Sequence, residues 1–352
     1  MPTTCIETLA QQIPQWANEL GFQQIGISDT HLSLAEEYLF DWLAKGYHGD
    51  MHWMEKHGYK RSRPAELIPG TLRVISARMN YWLEDSEVAW ANLHDSQRAY
   101  VSRYALGRDY HKLLRQRLQA LADKMRENIG EFGYRVFVDS APVLEKPLAE
   151  KAGLGWIGKH TNLLNRQGGS YFFLGEIYTD LPLPVNNTTA ENHCGTCRAC
   201  IDVCPTQAII APYELDARKC ISYLTIEHEG AIPLELRSLM GNRIYGCDDC
   251  QLVCPWNRFA QLSSETDFRP RHHLDTATLI ELFAWDEPTF LRKLQGSAIR
   301  RIGHLRWLRN IAVALGNAVR SDEVIAALQA KRQHPSALVR EHIEWALARH
   351  GR

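Results

Sequence analysis

The stretch CGTCRACIDVCP (residues 194–205) holds four cysteines in the order C-x2-C-x2-C-x3-C-P, namely Cys194, Cys197, Cys200 and Cys204. This spacing is typical of bacterial ferredoxins, in which three thiolates bind one 4Fe–4S cluster and the fourth cysteine reaches a second cluster. Two zinc sites are the alternative, but zinc usually takes two separated C-x2-C pairs. The spacing therefore predicts a ferredoxin-like segment with two iron–sulfur clusters.

A second set of cysteines supplies the remaining ligands. It repeats the C-x2-C-x3-C-P ending before Pro255 but lacks a leading cysteine, and Cys220 is the candidate to replace it. Each proline fixes φ after a cysteine and turns the chain away from the cluster. Two clusters need eight thiolates, and the two sets contain eight. We predict that Cys194, Cys197, Cys200 and Cys254 bind one cluster, and that Cys204, Cys220, Cys247 and Cys250 bind the other.

The bulk composition is that of an ordinary soluble globular chain. Its 352 residues are enough for two or three domains, and the net charge of −1 gives no overall preference for polyanions. No apolar run approaches a membrane span, and the first residues resemble neither a secretory signal nor a twin-arginine signal. We therefore expect a cytoplasmic protein whose cysteines are ligands and not disulfides. Cys5, the ninth cysteine, is expected to fill a small apolar space.

Hydrophobic periodicity predicts helices alternating with strands before the cysteine runs. Capping-box spacing at Thr4 and Glu7 opens a first helix, and the strongest helical pattern runs from 110 to 128. A polar stretch without a predicted element lies between 80 and 98, and residues 182–192 form a Pro/Asn/Thr-rich linker. This alternation predicts an α/β layer fold. Strands are expected at 22–28, 73–80, 134–140 and 170–180.

The C-terminal part is predicted to be helical, with an internal echo. Ile311, Ala314 and Leu315 match Ile343, Ala346 and Leu347 at an offset of 32 positions. This period suggests a short HEAT-like stack, and an ordinary helical hairpin is the alternative. We therefore expect an α/β domain over 1–185, a ferredoxin-like domain over 186–262 and an all-α HEAT-like domain over 263–352.

The loop GLGWIGKH (153–160) fits both G-x-G-x-x-G and G-x-x-x-x-G-K. Both nucleotide motifs need a preceding strand, but the residues before this loop have a helical pattern. His160 also stands where a P-loop needs the hydroxyl of Ser or Thr. We expect instead a loop whose backbone lies close to a large cofactor.

Two aspartates are candidates for acid chemistry. Asp139 follows a predicted strand and precedes Pro142, so helix capping is the simpler interpretation. The functional alternative is a general acid, which requires burial to raise its pKa above the usual value of about 3.9. Asp109 and His111 resemble the start of a cobalamin-binding D-x-H-x-x-G motif, but Leu114 replaces the glycine. A histidine ligand to cobalt is therefore not predicted.

A basic stretch runs from 291 to 320 without any Asp or Glu. Arg300, Arg301, Arg306 and Arg309 are its candidate phosphate contacts, and Trp307 and His304 could stack on bases. A solvated helix face, or pairing with acids elsewhere, is the alternative.

Together, these patterns resemble the epoxyqueuosine reductases, cobalamin-dependent iron–sulfur enzymes that complete queuosine in tRNA. The resemblance covers YVSRYALGRDYHKLL (100–114), FVDSAPVLEKPLAEKAGLGWIGKHTNLLN (137–165), CISYLTIE (220–227), NRIYGCDDCQLVCPWN (242–257) and RRIGHLRWLRNIAVALGN (300–317). It implies reductive removal of the epoxide oxygen at the wobble position, with base-off cobalamin in the N-terminal domain and electrons from the two clusters. It also implies that the HEAT-like tail grips the anticodon arm.

The resemblance assigns roles to residues and partners. Asp139 of the VDSAP motif becomes the proton donor, and the electrons come from a low-potential donor such as a flavodoxin or ferredoxin. The protein is expected to be a monomer that binds tRNA and no membrane. The implied cofactor contacts are Arg61, Ser102, Tyr104, Asp109, Asp139, His160, Leu163, Leu174, Ser222, Cys247 and Asp248.

Two other functions are compatible with parts of the sequence. A reductive dehalogenase-like enzyme would act on a small molecule, but the arginine-rich tail and the missing export signal argue against it. A plain two-cluster electron carrier would not need an α/β domain of this size.

Overall fold

The structure, a computed structural model, describes residues 5–186 and 190–351, so the predicted capping residue Thr4 lies outside the described residues. Cys5 is exposed, and the expectation that it fills an apolar space is wrong. The helices are α1 (Ile6–Glu19), α2 (Ser33–Ala44), α3 (Pro64–Leu67), α4 (Ser86–His94), α5 (Tyr110–Ile129), α6 (Glu145–Lys151), α7 (Ala199–Val203), α8 (Ile221–Ile226), α9 (Leu234–Arg237), α10 (Asp249–Leu252), α11 (Leu279–Phe283), α12 (Glu287–Lys293), α13 (Gly303–Asn317), α14 (Asp322–Ala330) and α15 (Ala337–Arg349).

The strands are mostly short. They are β1 (Gln24–Ser28), β2 (Arg73–Asn80), β3 (Tyr100–Val101), β4 (Tyr134–Phe137), β5 (Trp156–Ile157), β6 (Leu163–Leu164), β7 (Phe172–Thr179), β8 (Ile209–Ala211), β9 (Glu214–Leu215) and β10 (Arg243–Tyr245). Among the described helices, none is both long and apolar enough to cross a membrane.

A four-stranded sheet in the order β1-β2-β7-β4 organises the N-terminal part. Its two faces pack against different helices, because alternate residues of a strand point to opposite sides. Ile75 and Ile177 share a core with α1 and α5, whereas Val74 and Tyr178 share another with Leu148 of α6. The predicted layering of helices on a sheet is present, but every pairing in this sheet is antiparallel. Open parallel sheets bind ligands at the carboxyl ends of their strands, but this sheet is antiparallel, so that rule does not explain the position of Asp139 just after β4.

The stretch between 80 and 98 contains a helix, contrary to the sequence expectation. The carboxylate of Asp85 caps α4 by accepting a hydrogen bond from the backbone N–H of Glu87. Ala89 and Leu93 are buried on its inner side. The apolar residues of α4 run consecutively from Val88 to Ala91 and do not mark one face of a helix, so the surrounding core and the cap determine this helix.

A parallel pair of short strands ties the N-terminal part to the second cysteine run. Arg243 and Tyr245 of β10 pair with Tyr100 and Val101 of β3. Val101 and Ile244 lie in the same buried core as Trp307 of α13. Packing therefore crosses the borders expected near 185 and 262, and the three-domain division stays a prediction.

The C-terminal helices pack around the echo seen in the sequence. All six echo residues are buried in one core. Gly316 allows α13 and α15 to approach closely, since a Cβ at this position would lie 2.5 Å from the Trp345 ring and 3.0 Å from Ala346. The packing of α13 on α15 explains the echo.

The glycine loop follows a helix, α6, and not a strand. This segment contains β5, which pairs with β6 through Trp156 and Leu164. A Cβ at Gly155 would lie 1.9 Å from the carbonyl oxygen of Leu164. The close approach of these two backbone segments explains why residue 155 is a glycine.

The Gly155→Ala variant is expected to be destabilised by roughly 1–3 kcal/mol, the usual cost of overpacking a tight contact. A matched control is Gly230→Ala, because a Cβ there would meet only the His228 ring, at 3.3 Å. Chemical denaturation of both variants measures the difference. Equal stabilities would show that the loop can relax and that Gly155 is not required by the hairpin.

Candidate active site

Four of the predicted cluster ligands surround a small cavity. Cys194, Cys197, Cys200 and Cys254 line a space of about 220 Å³. Lys159 supports the loop that carries two of them, because its Nζ donates hydrogen bonds to the carbonyl oxygens of Gly195 at 2.6 Å and Cys197 at 2.8 Å. Burial, followed by the charges of the three neighbouring cysteines, raises the pKa of Cys254 to about 11.

Three cysteines of the second group, Cys220, Cys247 and Cys250, also have raised pKa values. Burial, and then the charges of Cys220, Asp249 and Cys204, raise the pKa of the Cys250 thiol well above its usual value. Burial and the charge of Asp249 raise the pKa of Cys247 likewise. Thiolates gathered in such surroundings need a cation to stabilise their charge, so both groups fit metal clusters.

A larger cavity opens next to the second cysteine group. It has a volume of about 490 Å³ and contains Asp139, and we call it the Asp139 cavity. Parts of the chain that are far apart in sequence form its wall. Besides Asp139 they are the start of α5 with Asp109, Tyr110 and His111, the segment around Ser222, Ile226 and Glu227, the segment Gly296, Ser297, Ala298, Arg300 and Arg301, and the rings of Tyr104 and Tyr245.

The carboxylate of Asp139 is held by two donors at the start of α5. The Tyr110 hydroxyl donates a hydrogen bond to Asp139 Oδ2, and His111 Nε2 lies 3.1 Å from the same oxygen. Tyr110 is in turn stacked on Phe173 of β7, with ring centroids 3.9 Å apart. Asp139 has φ of +47°, a conformation that costs a non-glycine residue energy. Contacts from outside its own segment therefore determine its position.

The helix-capping interpretation of Asp139 is wrong. Helix α6 begins only at Glu145, and its N-cap position is Leu144. The contact runs the other way, because the backbone N–H of Asp139 donates to Glu145 Oε1 at 2.7 Å. The Asp139 side chain caps no helix and faces the cavity, with 48% of its surface exposed.

The expectation that Asp139 has a raised pKa is also wrong. Burial acts to raise the pKa of Asp139, but hydrogen bonds from His111 and Tyr110, with the charge of His111, hold it below its usual value. Burial lowers the pKa of His111, yet hydrogen bonds to Asp109 and Asp139 and their charges raise it to about 9. Near pH 7 the pair therefore consists of a carboxylate and an imidazolium.

Glu145 is a further acid at this site that the sequence did not indicate. Burial, and then the charge of Asp139, raise the pKa of Glu145 to about 8. The group therefore carries a proton at neutral pH. Glu145 lies in the first turn of α6, where its carboxyl group contacts the backbone N–H of Asp139.

Four of the implied cofactor contacts line the Asp139 cavity, namely Tyr104, Asp109, Asp139 and Ser222. Others do not. Leu163 and Leu174 lie in or against a hydrophobic core with Phe172. His160 lines the smaller cavity beside the first cysteine group, where burial lowers its pKa to about 4.

The remaining implied contacts have structural partners. The Arg61 guanidinium donates to the carbonyl oxygens of Trp53 at 2.8 Å and Met54 at 3.0 Å. The Asp248 carboxylate accepts hydrogen bonds from the hydroxyls of Tyr100 and Ser102, at 2.9 and 2.5 Å. The side chains of Ser102 and Asp248 are thus hydrogen-bonded to each other and do not line the Asp139 cavity.

The basic stretch divides into exposed and buried arginines. Arg300 and Arg301 line the Asp139 cavity, and Arg301 pairs with Glu227 at 2.6 Å. Arg306 is half-buried and donates to backbone carbonyls, including that of Ile302 at 2.7 Å. Arg309 is completely buried, so its prediction as a nucleic-acid contact is wrong. The buried Trp307 likewise cannot stack on a base.

Several residues of the Asp139 cavity were missed by the sequence interpretation. Tyr110 and His111 stand beside Asp109 in the quoted motif, so their proximity to it was visible, but their contact with Asp139 was not. Glu227 ends the quoted segment CISYLTIE. Ser297 and Gly296 carried no signal, because small residues in a loop have no distinctive spacing.

Comparison with known proteins supports two iron–sulfur clusters in the segment that contains the eight cysteines. Residues 193–257 match the family described as a 4Fe-4S double cluster binding domain. This match and the cysteine geometry define the class of protein as an iron–sulfur oxidoreductase. Residues 61–140 match the family described as "Epoxyqueuosine reductase QueG, DUF1730".

Full-length relatives identify the family. The chain is 65% identical over 342 residues to the epoxyqueuosine reductase of Xanthomonas campestris pv. campestris, covering 97% of this chain and 96% of the relative. It is 62% identical to that of Pseudomonas aeruginosa, with 97% and 95% covered. The chain therefore belongs to the epoxyqueuosine reductase family, as the sequence resemblance predicted.

Solved structures share the fold along nearly the whole chain. An epoxyqueuosine reductase in complex with an epoxyqueuosine-modified tRNA stem loop has a TM-score of 0.90 at 26% identity, covering 99% of this chain and 92% of that one. The Bacillus subtilis enzyme, in a structure with its catalytic aspartate loop swung out of the active site, has a TM-score of 0.87 at 26% identity, with 98% and 91% covered.

Arg309 is expected to stabilise the wall of the Asp139 cavity. Its guanidinium donates to the carbonyl oxygens of Leu224, His228 and Gly230 at 2.7–2.8 Å. Arg309→Met leaves the buried carbonyl of Leu224, and the less buried carbonyls of His228 and Gly230, without this donor, and it should lower the free energy of unfolding by about 1–3 kcal/mol. Arg300→Met, at an exposed position of the same stretch, should change it by less than about 0.5 kcal/mol. Thermal unfolding of both variants distinguishes the two roles, and an unchanged Arg309→Met would contradict this assignment.

Proposed function

We propose that this chain reduces the epoxide of epoxyqueuosine at the wobble position of tRNA to the cyclopentene of queuosine. The reaction breaks both C–O bonds of the epoxide, consumes two electrons and two protons, and releases water. One observation carries the proposal. The Asp139 cavity joins an acid–imidazole pair to Ser222, two residues from Cys220, and to the exposed Arg300. A proton source, an electron path and a polyanion contact thus meet at one opening.

The electron path of the proposal consists of two 4Fe–4S clusters. Cys194, Cys197, Cys200 and Cys254 would bind the first, and Cys204, Cys220, Cys247 and Cys250 the second. Cys197 is exposed. The first cluster is therefore the suitable entry point for a low-potential donor such as a flavodoxin or ferredoxin, and the second would pass electrons toward the Asp139 cavity.

The residues of the Asp139 cavity fit base-off cobalamin, which the family resemblance implies. Gly296, Ser297 and Ala298 give one wall little side-chain bulk, and a Cβ at Gly296 would meet no atom within 4 Å. His111, the histidine in this lining, has a carboxylate at each ring nitrogen and is not available to cobalt. Tyr104, Ser222 and the Asp139 loop would contact the cofactor. Bound and reduced, cobalamin supplies the strongly nucleophilic metal centre that epoxide opening requires.

Asp139 would protonate the epoxide oxygen. An alkoxide is a poor leaving group in an apolar site, so a positioned acid lowers the barrier, typically by 10²–10⁴-fold in rate. The carboxylate lies at the mouth of the cavity and is oriented by Tyr110 and His111. Because its own pKa is lowered, Asp139 must receive a proton before it can deliver one.

The tRNA would lie over the opening of the Asp139 cavity. The relative crystallised with a modified stem loop supports an RNA substrate for this chain. Arg300 and Arg301 at the rim would contact phosphates of the anticodon arm, and the C-terminal helices would form a HEAT-like support. Arg306 stays a weaker candidate, because its guanidinium already serves backbone carbonyls.

Anaerobic reconstitution with iron, sulfide and cobalamin tests the whole proposal. The loaded protein, given a chemical low-potential reductant, should convert epoxyqueuosine-containing tRNA to queuosine-containing tRNA, measured by nucleoside mass spectrometry. Protein that takes up clusters but neither binds cobalamin nor changes the tRNA would refute it.

Asp139→Asn should reduce turnover by at least about 10²-fold, the lower range for loss of a general acid. Cluster content and cobalamin absorption should stay as in the unaltered protein, because the amide occupies the same space. Asp123→Asn is the matched control, since Asp123 is an exposed residue of α5 about 18 Å along the helix from His111. Full activity in Asp139→Asn would exclude Asp139 as the acid.

Arg300→Glu should weaken tRNA binding, and the slope of log affinity against log salt should become shallower by about one counterion. Arg126→Glu, at the far end of α5, reverses a charge outside the basic stretch and serves as the control. Filter binding over a range of salt concentrations measures both. If the two variants bind tRNA equally well, the rim is not the phosphate contact.

A further inference from the structure

The reaction proposed above places two protons on one oxygen, but Asp139 is ionised near neutral pH. The first proton must therefore come from a neighbour that can be recharged from solvent. Tyr110 is a poor source, because burial and the charge of Asp139 raise its pKa well above the usual value. The neighbour that remains in direct contact with the Asp139 carboxylate is His111.

We propose that Asp109 and His111 form a proton relay that loads Asp139 with each proton it delivers to the substrate oxygen. This inference rests on the proposed function and adds a proton path to it. His111 becomes the residue that passes protons to Asp139, and Asp109 becomes the residue that positions His111 and favours its charged form.

The geometry of the three residues is that of a carboxylate–imidazole–carboxylate chain. Asp109 is the N-cap of α5, and its Oδ1 accepts the backbone N–H of His111 at 3.0 Å. The same oxygen lies 2.7 Å from His111 Nδ1, while Nε2 lies 3.1 Å from Asp139 Oδ2. A histidine between two carboxylates can satisfy both only when each ring nitrogen carries a proton. The cap therefore orients the ring and favours its charged form.

The charges around His111 favour the same form. On α5 these are Asp109 itself and the neutral Tyr110 ring, which stacks on the imidazole at 4.3 Å between centroids. Asp139 faces it from the loop after β4, and Glu145 faces the pair from α6. Arg301 opposes them from the other side of the cavity, but its guanidinium is paired with Glu227. Two carboxylates in direct contact outweigh one compensated cation at a longer distance.

The relay conserves protons and moves no electrons. The Nε2–H bond of the imidazolium breaks as an O–H bond forms on Asp139 Oδ2. That O–H bond then breaks as one forms on the substrate oxygen, which keeps the electron pair of each C–O bond as that bond breaks. The two electrons that form the carbon–carbon double bond come from the low-potential donor through the clusters. The neutral imidazole regains a proton from water, since 24% of the His111 side chain is exposed. A second cycle of the relay supplies the second proton, and the substrate oxygen then leaves as water.

The Asp109→Asn variant tests the relay while keeping the fold. Asparagine is as good an N-cap as aspartate, and its amide oxygen can still accept both hydrogen bonds from His111. The substitution removes one negative charge beside the imidazole. Turnover of the unaltered enzyme should be lost as pH rises through about 9, where His111 loses its proton. In Asp109→Asn this alkaline limb should move to lower pH by at least about one unit, toward the ordinary histidine pKa near 6.5.

Two further measurements separate catalysis from structure. His111→Gln should lower kcat by at least about 10²-fold with little change in KM for tRNA, because glutamine keeps a polar contact but carries no transferable proton. NMR of ring-labelled histidine in the protein as purified, assigned by the signal missing in His111→Gln, should show a midpoint that falls in Asp109→Asn. Asp123→Asn should change neither the pH limb nor the midpoint.

The outcomes distinguish this inference from the proposed function. If the unaltered enzyme forms queuosine but the alkaline limb and the His111 midpoint are the same in Asp109→Asn, the relay is wrong and the function stands. If the unaltered enzyme forms no queuosine, the proposed function itself fails. A His111→Gln enzyme with full kcat would also overturn the relay.

Discussion

The buried carboxylate of Asp248 is the contact on which the arrangement of this molecule depends. It follows a cluster cysteine, Cys247, and accepts hydrogen bonds from Tyr100, Ser102 and the backbone N–H of Arg103. Burial raises the pKa of Asp248 in spite of these donors, so the charge is costly wherever it is not fully bonded. The pairing of β3 with β10 depends on the same few residues. These contacts therefore fix the relative positions of the second cysteine group, the start of α5 and the Asp139 cavity.

Arg309 and the neighbouring Asn310 connect these parts of the chain to the C-terminal helices. Arg309 lies on α13, yet its hydrogen bonds go to the backbone that follows Cys220, a member of the second cysteine group. Asn310 beside it donates to the carbonyls of Thr225 and Ile244 at 2.9 Å. These contacts determine which positive charges are left for a polyanion. A stretch that looks uniformly basic in sequence thus contains both structural arginines and exposed ones such as Arg300.

The site shows how the neighbours of a group determine its chemistry. Asp139 stands where the family resemblance expects an acid, but the structure surrounds it with donors that stabilise its charged form. The proton is carried by the imidazolium of His111, which contacts Asp139 and is held in place by the helix-capping residue Asp109. Glu145 adds a second protonated group behind the same loop. An acid site can therefore be built from a carboxylate with a lowered pKa, provided that a cation with a raised pKa is in contact with it.

Local spacing was sufficient for the parts of this protein that depend on local geometry. The cysteine spacing predicted two iron–sulfur clusters, which the family match supports, and β2 and α5 follow their periodic patterns almost to the residue. Helix α4 and the short strands β3 and β10 were missed, since long-range packing holds them and their own sequences are weak signals. The burial of Arg309, the antiparallel sheet and the contact between His111 and Asp139 also escaped prediction. Burial and charge neighbours come from segments far apart in the chain, and only the tertiary structure brings them within a few ångströms.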